Sequence, residues 1–277
     1  KKLKYFMPSL DDLKKRIASV KSTQKITKAM KMVAAAKLRK AQEAAEQSRP
    51  YSDNMKNLMD SISRGFVPTD NSRNLLTGSD EDKTYLLVLF TSERGLCGGF
   101  NSQISKALRE KVVDLQKENK TVKIICIGKK GYDIVKRQYG DQIVDTVDLS
   151  AVKSIQYGDA KKISDKIIKM YFDAEFDKCL IFYNKFKSVI SQIPTEQQVV
   201  PAEIVENDND ENISRDNSFF EFEPNEKEIL EELLPLNFAV QIFKALLESS
   251  ASEQGSRMSA MDNASRNASD MIDSLTL

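Results

Sequence analysis

The segment from Ser9 to Arg49 contains neither glycine nor proline, and residues that favour helices fill it. Ser9 is a good residue for a helix start, and Asp11 and Asp12 would place negative charge at the positive end of the helix dipole. A helix of about 40 residues is about 60 Å long, roughly twice the width of a small domain. We therefore expect this helix to extend past any domain and to pair with a second helix.

The apolar residues of this first helix follow a heptad pattern, which predicts one half of a coiled coil. Its first positions, spaced 3-4-3, are Leu10, Leu13, Ile17 and Val20. After Val20 we expect the apolar stripe to thin and to shift to other positions. The shifted positions would be Ile26, Met30, Val33 and Ala41.

A second long helix is predicted at the other end of the chain, with apolar or small residues again spaced by three and four. These positions are Met258, Met261, Ser265, Ala268, Ile272 and Leu275. Gly255 weakens a helix without ending it. Two helices that each carry one such stripe can cover each other, so we expect them to pair antiparallel, with Val20 within one turn of Ala268.

Strand and helix patterns alternate between the two terminal helices. Apolar runs predict strands at 84–91, 122–128, 142–149 and 179–184, and amphipathic stretches predict helices at 102–118, 129–138 and 158–173. This order is typical of a mostly parallel sheet with covering helices. The predicted fold class is therefore α/β, in which a long antiparallel coiled coil of the terminal helices joins a central α/β domain.

A glycine-rich turn, ERGLCGGFN at 93–101, follows the first predicted strand. It is not a Walker loop, because Gly99 is followed by Phe-Asn and not by Lys and Ser or Thr, and Gly95, Gly98 and Gly99 are misspaced for a dinucleotide fingerprint. Cys97 is a poor candidate nucleophile, since such a thiol needs a base and the chain contains no histidine. We interpret the four residues as a structural turn around a small buried thiol, and we expect no catalytic residue, cofactor or metal.

The sequence lacks the patterns of membrane-spanning helices, of CxxC cysteine pairs and of calcium-binding EF-hand loops. No apolar run approaches the ~20 residues of a membrane-spanning helix. The three cysteines are far apart, without a CxxC pair, which is typical of reduced thiols. The acidic run 208–211 lacks the spacing and the glycine of a calcium-binding EF-hand loop. It lies in the aperiodic segment 204–217, which we expect to be a solvated loop.

The charges of the chain are separated, although the net charge is only +1. Between Leu13 and Gln42 every charge is basic, and between Glu203 and Glu232 acidic residues dominate. The basic helix could be a solvated face, a surface for an acidic protein or a nucleic-acid binder. Nucleic acid is the least favoured, because the apolar stripe begins inside the basic stretch and no aromatic residues interleave with the lysines.

Four segments together resemble the gamma subunit of F-type ATP synthase. They are SLDDLKKRIASVKSTQKITKAMKMVAAAKLRKAQ (9–42), ERGLCGGFN (93–101), YNKF (183–186) and ASEQGSRMSAMDNAS (251–265). The resemblance runs from end to end. It implies a noncatalytic rotor shaft, present once per complex, whose coiled coil lies inside a ring of three alpha and three beta subunits. A central Rossmann-like domain would lie below, with its foot on the membrane c-ring and the epsilon (or delta) subunit beside it.

The resemblance also implies roles for particular residues. Phe222 and Glu223, in FFEFEPN, would belong to the foot on the c-ring and epsilon. The family's contact with the acidic levers of beta would fall on Lys25, Lys28, Met30, Lys31 and Arg257. The family has no nucleic-acid partner. Its members are peripheral membrane proteins on the cytoplasmic face of the bacterial plasma membrane or the matrix face of the mitochondrial inner membrane.

With these implications the chain divides into four parts. We expect an N-terminal shaft helix at 1–60, the α/β domain at 79–203, an acidic loop and foot at 204–224 and a C-terminal shaft helix at 225–277. Family members would continue past Leu277 by roughly two dozen residues, an estimate from the resemblance and from helix rise.

Overall fold

The computed structural model describes residues 9–63, 73–79, 81–202 and 226–276. The acidic segment 204–217 and the predicted foot residues Phe222 and Glu223 lie outside these ranges. The helices are α1 (Leu10–Ser63), α2 (Phe100–Lys117), α3 (Lys129–Tyr139), α4 (Tyr157–Phe172) and α5 (Glu226–Thr276), with a short 3₁₀ helix at Gly140–Gln142. The strands are β1 (Thr84–Phe90), β2 (Thr121–Ile127), β3 (Ile143–Val147), β4 (Lys178–Ser188) and β5 (Ser191–Val200).

A reciprocal pair of hydrogen bonds starts α1 at the predicted place. The hydroxyl of Ser9 accepts from the backbone N–H of Asp12 at 3.2 Å, and the Asp12 carboxylate accepts from the Ser9 N–H at 3.3 Å. This is the arrangement of a capping box. The helix is longer than the segment without glycine and proline, since it continues through Pro50 to Ser63.

The terminal helices pack against each other. The hydroxyls of Thr27 and Ser265 lie 2.7 Å apart, and the ammonium of Lys31 donates to Asp262 Oδ1 at 2.6 Å. A step of four residues forward on α1 is therefore a step of three residues back on α5. This confirms the predicted antiparallel pair and the predicted fold class.

The prediction that the stripe of α1 shifts after Val20 is wrong. Ile26 and Val33 face outward, each 57% exposed. The heptad spacing instead continues without a break, and its next positions are Gln24, Thr27, Lys31, Ala34 and Leu38. Polar residues can occupy the seam because partners on α5 satisfy them. On this register Val20 lies opposite Ile272, one turn from Ala268 and within the stated uncertainty.

We predict that Thr27→Cys combined with Ser265→Cys forms a disulfide readily under mild oxidation. The two native hydroxyls already touch, which is close enough for sulfur atoms to bond after small adjustments. The matched control is Ile26→Cys with Ser265→Cys, because Ile26 is the neighbouring residue but points away from α5. Non-reducing electrophoresis of both variants measures the result. Equal crosslinking in the two pairs would contradict the register.

The sheet has the strand order β3-β2-β1-β4-β5, and only the β4–β5 pair is antiparallel. Strand β5 has no counterpart among the predicted strands, and the fourth predicted strand ends at residue 184, whereas β4 continues to Ser188. The sequence of β5, SQIPTEQQVV, has few apolar residues and contains Pro194. Edge strands tolerate both features, because one side of the strand is not paired.

Each face of the sheet is covered by apolar packing. Helices α2 and α3 cover one face, where Ile104, Leu108 and Val135 are fully buried. Helices α4 and α5 and the end of α1 cover the other. From β1 the chain adds β2 and then β3, each on the same side of the strand before it. The connection through α4 then returns to the other side of β1, where β4 pairs with it. The strand order therefore reverses between β1 and β4.

Candidate functional site

The glycine-rich turn lies at the carboxyl end of β1, next to this reversal. Gly98 adopts a φ of +55°, a left-handed conformation that glycine takes at little cost. The side chain of Asn101 fastens the turn from inside, since its Oδ1 accepts from the Ser92 N–H at 3.0 Å and its Nδ2 donates to Cys97 Sγ at 3.3 Å. The turn is thus held by its own side chains.

Glu93 connects the turn to the neighbouring strands. Its Oε1 accepts from the backbone N–H of Leu149 at 2.7 Å, and its Oε2 accepts from the N–H of Lys129 at 3.1 Å. These two donors follow β3 and β2, respectively. Nothing in the sequence pattern singles out Glu93, because its partners lie far away along the chain.

The thiol of Cys97 lies inside the turn and is 2% exposed. Burial raises its pKa, an effect that the Ser92 hydroxyl and the charge of Arg257 partly oppose. Burial also raises the pKa of Cys126, to about 12, and that of Cys179. All three cysteines are free and buried. Thiols in such surroundings are protonated at neutral pH and react slowly.

Helix α5 covers the turn and the end of β4. The hydroxyl of Ser256 donates to the carbonyl of Cys97 at 2.6 Å, and the hydroxyl of Ser252 donates to the carbonyl of Asn184 at 2.8 Å. A Cβ at Gly255 would lie 3.1 Å from the ring of Phe186, so the missing side chain lets the helix approach the sheet closely.

Arg257 forms its contacts inside the chain. Its Nη1 pairs with Glu253 Oε1 at 2.5 Å, and its Nη2 donates to the carbonyls of Arg94 at 3.1 Å and Gly95 at 3.3 Å. The side chains of Arg257 and Glu253 are only 12% and 20% exposed. Burial raises the pKa of Glu253, while the guanidinium of Arg257 acts in the opposite direction. The pair thus ties α5 to the glycine-rich turn.

The predicted contact residues on α1 fall into two groups. Lys25 and Lys28 are exposed and have no ion pair within the described ranges. Met30 is half-buried, and Lys31 is bound to Asp262 of α5. The hydrogen bond from Lys31 lowers the pKa of the Asp262 carboxyl. An outward-facing apolar stripe that the sequence pattern does not predict lies beside these lysines, where Ile26, Met32 and Val33 are 57%, 73% and 57% exposed.

Comparison with known proteins identifies the family to which this chain belongs. A family model described as ATP synthase matches residues 9–277. A protein of Pelagibacter ubique (strain HTCC1062) named ATP synthase gamma chain is 58% identical over 271 residues, which cover 98% of this chain and 92% of the relative. The chain belongs to the ATP synthase gamma chain family. The gamma chain of Paracoccus denitrificans (strain Pd 1222) is 54% identical over 270 residues, with 98% and 91% covered.

Solved structures of ATP synthases contain the same fold. The central stalk and c-ring structure of the Tetrahymena thermophila mitochondrial enzyme has a chain that is 28% identical, with a TM-score of 0.63 over 87% of this chain and 99% of that one. A rotor chain of the Euglena gracilis mitochondrial enzyme is alike in fold, at 19% identity and a TM-score of 0.65. Among the described residues of the gamma-family chain, no helix is long and apolar enough to cross a membrane.

Proposed function

We propose that this chain is the central rotor shaft of F-type ATP synthase, which couples ion-driven rotation of the c-ring to ATP synthesis or hydrolysis at the beta subunits. The observation that carries the proposal is the antiparallel pair of α1 and α5, held by the Thr27–Ser265 and Lys31–Asp262 contacts, in a chain of the gamma family. A rigid pair of helices that extends from a compact domain is suited to transmit rotation.

The chain is a noncatalytic subunit, and the nucleotide sites of the complex lie in beta. Two features support this assignment. The glycine-rich turn has the wrong spacing for a phosphate loop. In addition, α5 packs directly on the turn, where the hydroxyl of Ser256 and the guanidinium of Arg257 donate to its carbonyls. The turn therefore serves packing within the chain.

The outer face of α1 forms the contact with the beta levers. Lys25 and Lys28 are the cations best placed for it, together with the exposed part of Met30 and the apolar residues Ile26 and Val33. An exposed ion pair is worth only about 0–1 kcal/mol. Such contacts can be exchanged as the shaft turns, and no single one holds it in place. Lys31 and Arg257, also predicted for this contact, act mainly inside the chain.

The opposite end of the molecule would rest on the membrane assembly. Phe222 and Glu223 would form the foot on the c-ring, with the epsilon (or delta) subunit alongside. One copy of the chain would serve three alpha and three beta subunits. The complex would place this peripheral subunit on the cytoplasmic face of a bacterial plasma membrane or on the matrix face of the mitochondrial inner membrane.

Co-purification with alpha and beta subunits tests this proposal. We expect the tagged chain, expressed with those subunits, to elute as one complex in the ratio 3:3:1 by mass spectrometry. Ala34→Glu should abolish the complex, because Ala34 is 1% exposed on the helix seam, whereas Ala36→Glu on the exposed side should keep it. If the chain does not co-purify with alpha and beta but binds DNA with a steep salt dependence, the nucleic-acid alternative is supported instead.

A further inference from the structure

The crevice between the ends of β1 and β4 is the place where an open α/β sheet ordinarily holds a ligand. Ligands bind outside the carboxyl ends of the strands, at the point where the strand order reverses. In this chain that point lies between β1 and β4. The segment of α5 from Ser252 to Arg257 lies there, so part of the chain's own shaft occupies the position of a ligand.

The contacts in this crevice are directional. Ser252, Ser256 and Arg257 donate to four backbone carbonyls. The acceptors belong to Arg94, Gly95, Cys97 and Asn184. Hydrogen bonds weaken steeply when their angles change. These bonds therefore fix the rotation of α5 relative to the sheet, in addition to the surrounding apolar packing.

The acceptor side of the contact is itself rigid. Asn101 and Ser92 fasten the turn from within, and Glu93 ties it to the segments that follow β2 and β3. The Nδ2 of Asn184 on β4 donates to the carbonyl of Phe100 at 3.4 Å, so β4 is linked to the start of α2 as well. A twisting force on the sheet thus reaches the four carbonyls without first deforming a loose loop.

We propose that these contacts form a clamp that transmits torque between the α/β domain and the helical pair. The turn–helix clamp consists of Ser252, Ser256 and Arg257 on α5 and the four carbonyls that they bind. Arg257 is then a positioning residue, which holds the shaft at a fixed angle on the domain. This inference rests on the proposed rotor function and names the place where rotation passes from the domain to the shaft.

The first test loosens the clamp in the assembled complex. In Ser256→Ala/Arg257→Gln, three of the four carbonyls lose their donors on α5, while the interface of α1 and α5 farther along the shaft stays intact. In reconstituted vesicles we expect the amount of proton pumping per ATP hydrolysed to fall at least threefold. The matched control is Arg266→Gln, which removes an arginine of the same helix that is 74% exposed and does not contact the turn. The control should keep the wild-type ratio.

The second test restores the clamp with a covalent bond. A Cβ at Gly98 would lie 3.8 Å from the Cβ of Ala260, the usual separation in a disulfide. The positive φ of Gly98 strains a side chain, yet Leu96 in the same turn already has a φ of 63°. We therefore add Gly98→Cys and Ala260→Cys to the loosened variant. Oxidation should return pumping per ATP to within a factor of two of wild type, and reduction should abolish the rescue.

The outcomes separate the clamp from the rotor function. If the loosened variant assembles in normal amounts and keeps the wild-type ratio, or if oxidation gives no rescue, the clamp does not transmit torque. If oxidation of Gly98→Cys/Ala260→Cys in the otherwise native chain stops turnover, the contact must open during rotation and the clamp proposal is wrong. If vesicles with the native chain hydrolyse ATP but do not pump, the proposed function itself fails.

Discussion

Replacing Gly128 with alanine is expected to lower the free energy of unfolding by at least about 3 kcal/mol, because the side chain would both strain the backbone and overpack its surroundings. Gly128 follows β2 with a φ of +96°, which side chains rarely adopt. A Cβ there would also lie 2.3 Å from the carbonyl oxygen of Thr91, so the backbone at the end of β1 would have to move. The damage would reach the glycine-rich turn, because Thr91 leads into it.

Gly140→Ala is the matched control for this substitution. Gly140 ends α3 in a right-handed helical conformation, with a φ of −54°, and a Cβ there would touch no other atom within 4 Å. Alanine should stabilise the protein by about 0.4–1 kcal/mol, because it restricts the unfolded chain. Denaturant titration of the purified chain, followed by circular dichroism, compares both variants with the native protein. Similar midpoints for the two variants would contradict the backbone conformation at Gly128.

Asp177→Ala is expected to lower the free energy of unfolding by about 3 kcal/mol, as measured for other buried ion pairs that lose one partner. The side chain of Asp177 is 4% exposed and binds Arg73 Nη2 at 2.9 Å. Its Oδ2 also accepts from the backbone N–H groups of Lys83 at 3.0 Å and Thr84 at 2.9 Å, where β1 begins. The substitution leaves these donors without their acceptor. The same denaturant titration measures the loss.

The pH dependence of stability provides a second readout for Asp177. Burial acts to raise the pKa of this carboxyl, but the hydrogen bonds from Thr84, Lys83 and Arg73 outweigh it and hold the pKa below the ordinary value of 3.8. The contribution of Asp177 to the free energy of unfolding is therefore fully present above the pKa that its carboxyl has in the unfolded chain. It is lost as the pH falls through the lower pKa of the folded state. Asp177→Asn should reduce the drop in stability below about pH 4. An unchanged acid profile would contradict this role.

Periodicity predicted the long elements well, because it depends on the repeat of the helix and not on detailed contacts. Both terminal helices followed from it, and the apolar runs gave the four parallel strands. It failed where polar groups are satisfied by distant partners. Thr27 is buried because Ser265 meets it, so the true seam has a hydroxyl where the pattern required an apolar residue. Strand β5 is polar and lies at the edge, so its pairing depends on β4 and not on its own pattern.

At the glycine-rich turn, partners that are distant in sequence limited the prediction even more. The sequence indicated that the ERGLCGGFN turn carries no phosphate loop, but not what the turn contacts. The partners of Glu93 lie 36 and 56 residues away, and Ser256 is 159 residues from Cys97. The resemblance implies a contact between Arg257 and beta, and the sequence gives no sign that this side chain also has acceptors within the chain, the carbonyls of Arg94 and Gly95. Only the folded arrangement brings α5 into the crevice.

Single-molecule rotation is the most direct test of the rotor assignment. All native cysteines are buried, so Ile190→Cys, at a position 85% exposed between β4 and β5, would offer one accessible thiol for a probe. In a complex with immobilised alpha and beta subunits, we predict that ATP turns the probe in one direction, with one dwell position for each beta subunit. A probe that stays still while the same complexes hydrolyse ATP would contradict the role of this chain as the shaft.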